Sequence, residues 1–158
     1  MNDKIKILPK VINNEYKGSK VAKQVFLVIT ILTVIRSLIH VFAPDGGAQS
    51  IATIPLDTYT QAGAASVVMI FSLWGLSQLL MGVVYAFVYL RYKSLIPAMY
   101  ILLIAEYIMR IVIGMMKPIE TVGTAPGGVG NWILVPLCII MLALSLSKNK
   151  NEKEDNHV

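Results

Sequence analysis

The sequence predicts an all-α integral membrane protein, a four-helix bundle with both termini cytoplasmic. Three observations carry that expectation. The apolar residues gather into four long blocks, the connections between blocks alternate between basic and Lys/Arg-poor, and two blocks each carry polar residues one helical turn apart. A helix crosses a bilayer core with roughly 20 apolar residues. Hydrophobic residues make up 56% of the chain, charged residues 15%, and the mean hydropathy is +0.66, which excludes an ordinary soluble domain.

Residues 1–23 read as a basic cytoplasmic segment. Lys4, Lys6, Lys10, Lys17, Lys20 and Lys23 outnumber Asp3 and Glu15, and Ile5, Ile7, Leu8, Val11 and Ile12 lie among them. Such a segment suits an anionic leaflet or simply fixes orientation, and Pro9 interrupts any helix there. The membrane domain is expected over 24–147, with spans at about 24–43, 62–90, 95–116 and 132–147. That leaves no room for a folded extramembrane domain. A cleaved signal peptide is not expected, because the first block holds Arg36 and His40 and ends at Ala43-Pro44.

The first loop, Pro44–Gln61, has no Lys or Arg but holds Asp45 and Asp57, whereas Arg91-Tyr92-Lys93-Ser94 is short and basic. The second span is longer than a bilayer core requires, so it tilts or projects. Its Gly75, Gly82 and Ala86 form a stripe of small residues for close helix approach. Pro97 and Pro136 are placed in the first turns of spans three and four, where a missing N–H does little harm. Lys117–Asn131 carries one Lys and one Glu, and the charged tail 148–158 again carries lysines. Basic residues therefore mark the N-terminus, the second connection and the C-terminus as cytoplasmic. Tyr85, Tyr89 and Tyr92 on the inner side, with Tyr59 and Trp132 on the outer, read as interfacial aromatics.

The candidate site lies within the spans. Arg36 and His40 in span one, and Glu106 and Arg110 in span three, are each spaced i, i+4 and share a helix face. Counting inward from Val25 and Leu95 at ~1.5 Å per residue, Arg36 and Glu106 lie ~16 Å deep, His40 and Arg110 ~22 Å. Intramembrane charges cost on the order of 3 kcal/mol each and turn inward to partners. Arg36 is therefore expected to meet Glu106, leaving Arg110 as the excess charge, offset by Asp45 or Asp57 folding down, by a ligand or by snorkelling. Ser72 and Trp74 of span two lie at similar depth and complete a ligand-binding set of Arg36, His40, Glu106, Arg110, Ser72 and Trp74. Gln78 reads as a helix-to-helix hydrogen bond, Tyr100 and Tyr107 as packing residues.

Other motifs point away from familiar chemistry. Gly127-Gly128-Val129-Gly130 has no Lys-Ser/Thr after it, Asp45-Gly46-Gly47 reads as a turn, and His157 lies in the tail. His40 has no companions for a zinc site, and the lone Cys138 allows no intrachain disulfide and reads as a buried hydrophobe. No metal site and no nucleic-acid partner are expected; the net charge of +5 belongs to cytoplasmic segments.

The pattern resembles the DoxX-like small four-helix membrane proteins. The likeness rests on four spans, the Ala43-Pro44 loop after the first, and a glycine-spaced second span ending in Arg91. It continues with the short turn into Leu95-Ile96-Pro97 and a third span carrying Glu106 and Arg110 before Gly114 and Lys117-Pro118. Gln61-Ala62-Gly63-Ala64 lacks an arginine found at this place in many relatives. The resemblance implies a membrane subunit of quinone-linked oxidoreductases or a binding bundle in the plasma (inner) membrane, with lipids, partner subunits or a second copy as partners.

Three functions follow. The first is a non-catalytic module holding a lipid, quinone or similar amphiphile. The second is a small membrane enzyme, proton-transferring or redox-linked, with Glu106 and His40 as catalytic candidates. The third is a proton or ion pathway, for which the inner half offers only Gln78 and Tyr85 as relays.

Overall fold

Ser19 opens the first helix by accepting the backbone N–H of Val21 on its hydroxyl at 3.2 Å. In the computed structural model, which describes residues 7–147, the chain then forms α1 over Lys20–Phe42. Pro44 follows at once and a loop with one 3-10 turn, Leu56–Thr58, leads to Thr60. Thr60 caps α2 (Gln61–Arg91) by accepting the Gly63 N–H at 3.2 Å. A second 3-10 turn, Lys93–Leu95, feeds α3 (Ile96–Met116), whose first turn accommodates Pro97. The last helix, α4, spans Pro126–Leu146. The described residues are all-α, and each of the four helices is long and apolar enough to cross a membrane.

One helix boundary changes the sequence reading. α4 begins at Pro126, so Gly127, Gly128 and Gly130 lie inside its first turns rather than in a loop. Proline at the N-terminus has the required φ and loses no hydrogen bond, which offsets poor glycine propensity. Consequently Pro136 lies in the helix interior, not in a first turn.

The chain packs as two antiparallel hairpins, α1 with α2 and α3 with α4, which meet chiefly along α1 and α4. Small residues bring α1 and α2 together. A Cβ on Gly75 would lie 2.5 Å from the His40 Cβ, and one on Gly82 would lie 2.9 Å from Val34 Cγ2. The glycine stripe read from the sequence is therefore the α1–α2 seam.

An aromatic centre joins the hairpins. Phe26 of α1 meets Tyr85 of α2 and Tyr100 of α3 edge-on, with centroids 5.7 and 5.8 Å away. Tyr100 donates its hydroxyl to the Ala22 carbonyl at 2.6 Å, satisfying a polar group within an apolar core. Ile96, Leu103, Cys138 and Met141 fill the space around it. Tyr85 is 1% exposed, so it belongs to this core and not to an interfacial belt. The outward faces carry Met69, Leu80, Phe87 and Ile133, all exposed. Such faces suit hydrocarbon as solvent and would be costly in water.

Connections tie the two ends. At one, Ser94 accepts the Asn13 N–H on its hydroxyl at 3.0 Å, and Lys93 donates to the Asn14 side chain at 3.0 Å. Next to them Ser19 N–H donates to the Leu144 carbonyl at 3.2 Å, fastening α1 to the C-terminal end of α4. At the opposite end Thr53 and the α3–α4 loop exchange two bonds: Val122 N–H to the Thr53 carbonyl, 2.9 Å, and Thr53 hydroxyl to the Gly123 carbonyl, 2.9 Å. The lysines at 4 and 6 and the tail 148–158, including His157, lie outside the described residues.

Candidate functional site

Trp74 is the hub of the polar cluster. As a mid-helix residue of α2, one position before Gly75, it projects where α1 comes nearest. The Arg110 guanidinium carbon is 4.8 Å from its ring centroid, and that of Arg36 is 5.6 Å away. The His40 ring lies 4.7 Å from the indole, tilted by 44°, and Phe71 stands edge-on to both rings. A cation over such a ring is stabilised by about 0.5–1 kcal/mol where exposed and by about 2 kcal/mol where desolvated. The structure thus brings Arg36, His40, Trp74 and Arg110 together, with Glu106 joined through Arg110.

The ion pairing differs from the sequence expectation. Arg110 binds Glu106 of its own helix, through Nε at 2.9 Å and through Nη2, and this is the ion pair among the described residues. Arg36 does not meet Glu106. Its Nη2 donates instead to Gln78 Oε1 of α2 at 3.3 Å. An i, i+4 pair needs only local helix geometry, whereas a pair between helices also needs matching rotation about both axes. The unneutralised charge is consequently Arg36, not Arg110. Its Nε is buried and has no hydrogen-bond partner among the described residues.

His40 is 3% exposed, and its Nδ1 lies 2.7 Å from the Gly46 carbonyl. A carbonyl only accepts, so Nδ1 carries the proton in this contact. The loop reaches His40 because Gly46 and Gly47 adopt φ of +60° and +72°. A Cβ on Gly47 would also lie 3.1 Å from His40 Nδ1. Among the described residues no hydrogen bond joins His40 to Glu106. Nor does Asp45 fold down to an arginine. Its carboxylate accepts the N–H groups of Gly47, Gln49 and Ser50, at 2.9, 3.1 and 2.7 Å. Burial raises the Asp45 pKa, but the N–H groups of Ser50, Gly47 and Gln49 outweigh it and hold the carboxyl down at about 2. Asp57 takes only the Gln49 side chain, at 3.5 Å.

Ser72 does not join the cluster. Its hydroxyl bonds back to the Val68 carbonyl at 3.0 Å and lies beside Gly46. Gln78 bonds helix to helix, but its partner is Arg36 of the cluster itself. Tyr100 and Tyr107 are both buried in the core.

One open space borders the cluster at Arg36, on the α4 side of α1. A recess of about 240 Å³ runs between α1 and the N-terminal half of α4, with Tyr107 of α3 at its back. Arg36, Thr33, Tyr107 and Asn131 supply its polar lining; Ile29, Leu32 and Leu134 are the main apolar wall. Added Cβ atoms on Gly127 and Gly130 would meet nothing within 4 Å, so both edges are open. Asn131 and the glycines were hidden from sequence reading because they stood in an expected loop. Among the described residues, no three His, Cys, Asp or Glu side chains gather as metal ligands. The Tyr85 hydroxyl is buried and has no hydrogen-bond partner among the described residues.

Comparison with protein-family models, with curated proteins and with solved structures finds no match for this chain. The site is therefore read from its own geometry.

Proposed function

We propose that this chain is a multi-pass protein of the plasma membrane, with both termini cytoplasmic, that holds a lipid, quinone or similar amphiphile as a binding module or membrane subunit. The observation that carries the reading is the recess beside Arg36, an arginine that among the described residues has no ion-pair partner and a buried, unpartnered Nε. Intramembrane arginines are expensive, and a ligand that supplies an oxygen acceptor offsets that cost. The lining suits an amphiphile: apolar walls from Ile29, Leu32 and Leu134, and a few polar groups gathered at one place.

Kinship with the DoxX-like four-helix proteins is part of this proposal. It is supported by the helix order, the Pro44 loop, the glycine seam on α2, the short turn before Pro97, and Glu106 with Arg110 on α3. A catalytic role for Glu106 and His40 draws less support, because Arg110 occupies the carboxylate and the Gly46 carbonyl occupies Nδ1.

Mass spectrometry of the protein extracted from membranes in mild detergent tests the proposal. The expected result is one retained amphiphile per chain, lost on Gly130→Leu, which adds a branched side chain to the lining of the recess at a position where a Cβ meets nothing within 4 Å. A wild-type protein that retains nothing under conditions preserving its fold would overturn it.

A further inference from the structure

We infer that the recess between α1 and α4 selects the head group of a monoanionic amphiphile, a carboxylate or a phosphodiester, in preference to a neutral quinone. The inference deepens the binding reading above and rests on it. Three observations lead to it.

Charge comes first. The cluster holds Arg36, Arg110 and Glu106, and Glu106 is taken by Arg110. Arg36 lines the recess, and no Asp or Glu shares that lining. Its described contacts are the neutral Gln78 amide and the Trp74 ring, neither of which carries a counter-charge. A single anion at this place would bring the cluster to neutrality, which a quinone cannot do.

Donor geometry comes second. Nη2 of Arg36 is engaged by Gln78, and among the described residues no acceptor meets the Nε–H, which lies just beneath the surface of the guanidinium and is reached by a small turn of the side chain. A guanidinium edge matches the paired oxygens of a carboxylate or phosphate, and such charge-assisted bonds are about twice as strong as neutral ones. Thr33, Tyr107 and Asn131 share the lining and add three side chains able to donate to further oxygens of the same head group.

Size comes third. A whole drug-sized ligand takes roughly 300 Å³ or more, and the recess offers about 240 Å³. It therefore takes the head group and the first few carbons. The rest of the chain leaves past Leu32, which lines the recess and is exposed to the surroundings of the bundle.

The test uses the full chain in phosphatidylcholine nanodiscs doped in turn with oleate, phosphatidylglycerol, oleyl alcohol or decylubiquinone, with bound probe counted by native mass spectrometry. Oleate, phosphatidylglycerol or both should bind about tenfold or more above the two neutral probes, as expected for a hydrogen bond to a charged group. Comparing the two anionic arms distinguishes a carboxylate from a phosphodiester. Arg36→Gln should erase the preference and Arg36→Lys should keep part of it, each scored per folded molecule. Gly130→Leu should release every bound probe, and with Arg36→Lys it carries the test if Arg36→Gln does not fold. Neutral probes binding as well as anionic ones, with release still caused by Gly130→Leu, would overturn the anionic preference and leave the binding reading standing. Probes that Gly130→Leu does not release would overturn both.

Discussion

Arg110 reaches back one turn to Glu106 on α3, and by doing so leaves Arg36 of α1 without a counter-charge. The two arginines share the face of one tryptophan but differ in electrostatic state. Double-mutant cycles should expose the difference. Glu106→Leu and Arg110→Leu should couple by about 1–3 kcal/mol, and Glu106→Leu with Arg36→Leu by less than half of that, because no bond joins the second pair among the described residues. Unfolding in detergent with a shared denaturant series reads both cycles. A strong Arg36–Glu106 coupling would mean that the carboxylate serves both cations.

The α1–α2 seam makes a second prediction. Gly75→Ala puts a methyl group 2.5 Å from the His40 Cβ, so it should destabilise the bundle by about 1–3 kcal/mol. Gly114→Ala meets nothing within 4 Å and should instead stabilise α3 by about 0.5–1 kcal/mol. Thermal unfolding of the two variants side by side should show shifts of opposite sign. Equal shifts would contradict the packing of α1 on α2.

Acid should loosen the first loop. The Asp45 carboxyl ordinarily titrates near 3.8 and is held at about 2 in the fold, so its contribution to stability is present above about pH 4. It is lost as the pH falls from there through about 2, because protonation removes the acceptor for the Gly47, Gln49 and Ser50 N–H groups. Hydrogen exchange at Gln49 and Ser50 should accelerate, relative to the intrinsic rate, over that window. Asp45→Asn should abolish the pH dependence, and an unchanged profile would assign it to another group.

Orientation is checked by labelling intact cells with an impermeant maleimide. Cysteines at Ser50 and Glu120, both exposed and in loops at the same end of the bundle, should react from outside. One at Tyr92, exposed at the other end, should react only after lysis. The reverse pattern would invert the proposed topology.

The helices were legible because hydrocarbon-length apolar blocks leave little choice of secondary structure, and the seam because glycines in an apolar helix mark close approach. Height along the helices was legible as well: counting residues put Arg36, His40, Glu106, Arg110, Ser72 and Trp74 at similar levels, and the ring contacts bring Arg36, His40 and Arg110 onto Trp74. Rotation about each helix axis was not. Residue counting gives height along an axis but no azimuth, so it paired Arg36 with Glu106 and enlisted Ser72, whose hydroxyl bonds its own helix. The start of α4 was missed because three glycines suggest a loop, yet Pro126 supplies a helical start and the apolar residues beyond propagate it. With that turn misread, the wall of the recess could not be seen.

The bond from Ser19 to Leu144 pins α1 and α4 at one end, whereas the recess lies between their other halves. At the recess end the two helices are linked only through their loops, by the bonds of Thr53 to Val122 and Gly123, so the pair is held like tongs with a slack tie between the tips. Eighteen residues separate Leu144 from Pro126, a lever of about 27 Å at the helical rise. One degree of pivoting at the pin moves the Pro126 end by about 0.5 Å at this lever length. Small changes in how residues 13–19 sit on the turn before α3 are thus magnified at the opposite end of the bundle, where α4 and Arg36 line the recess.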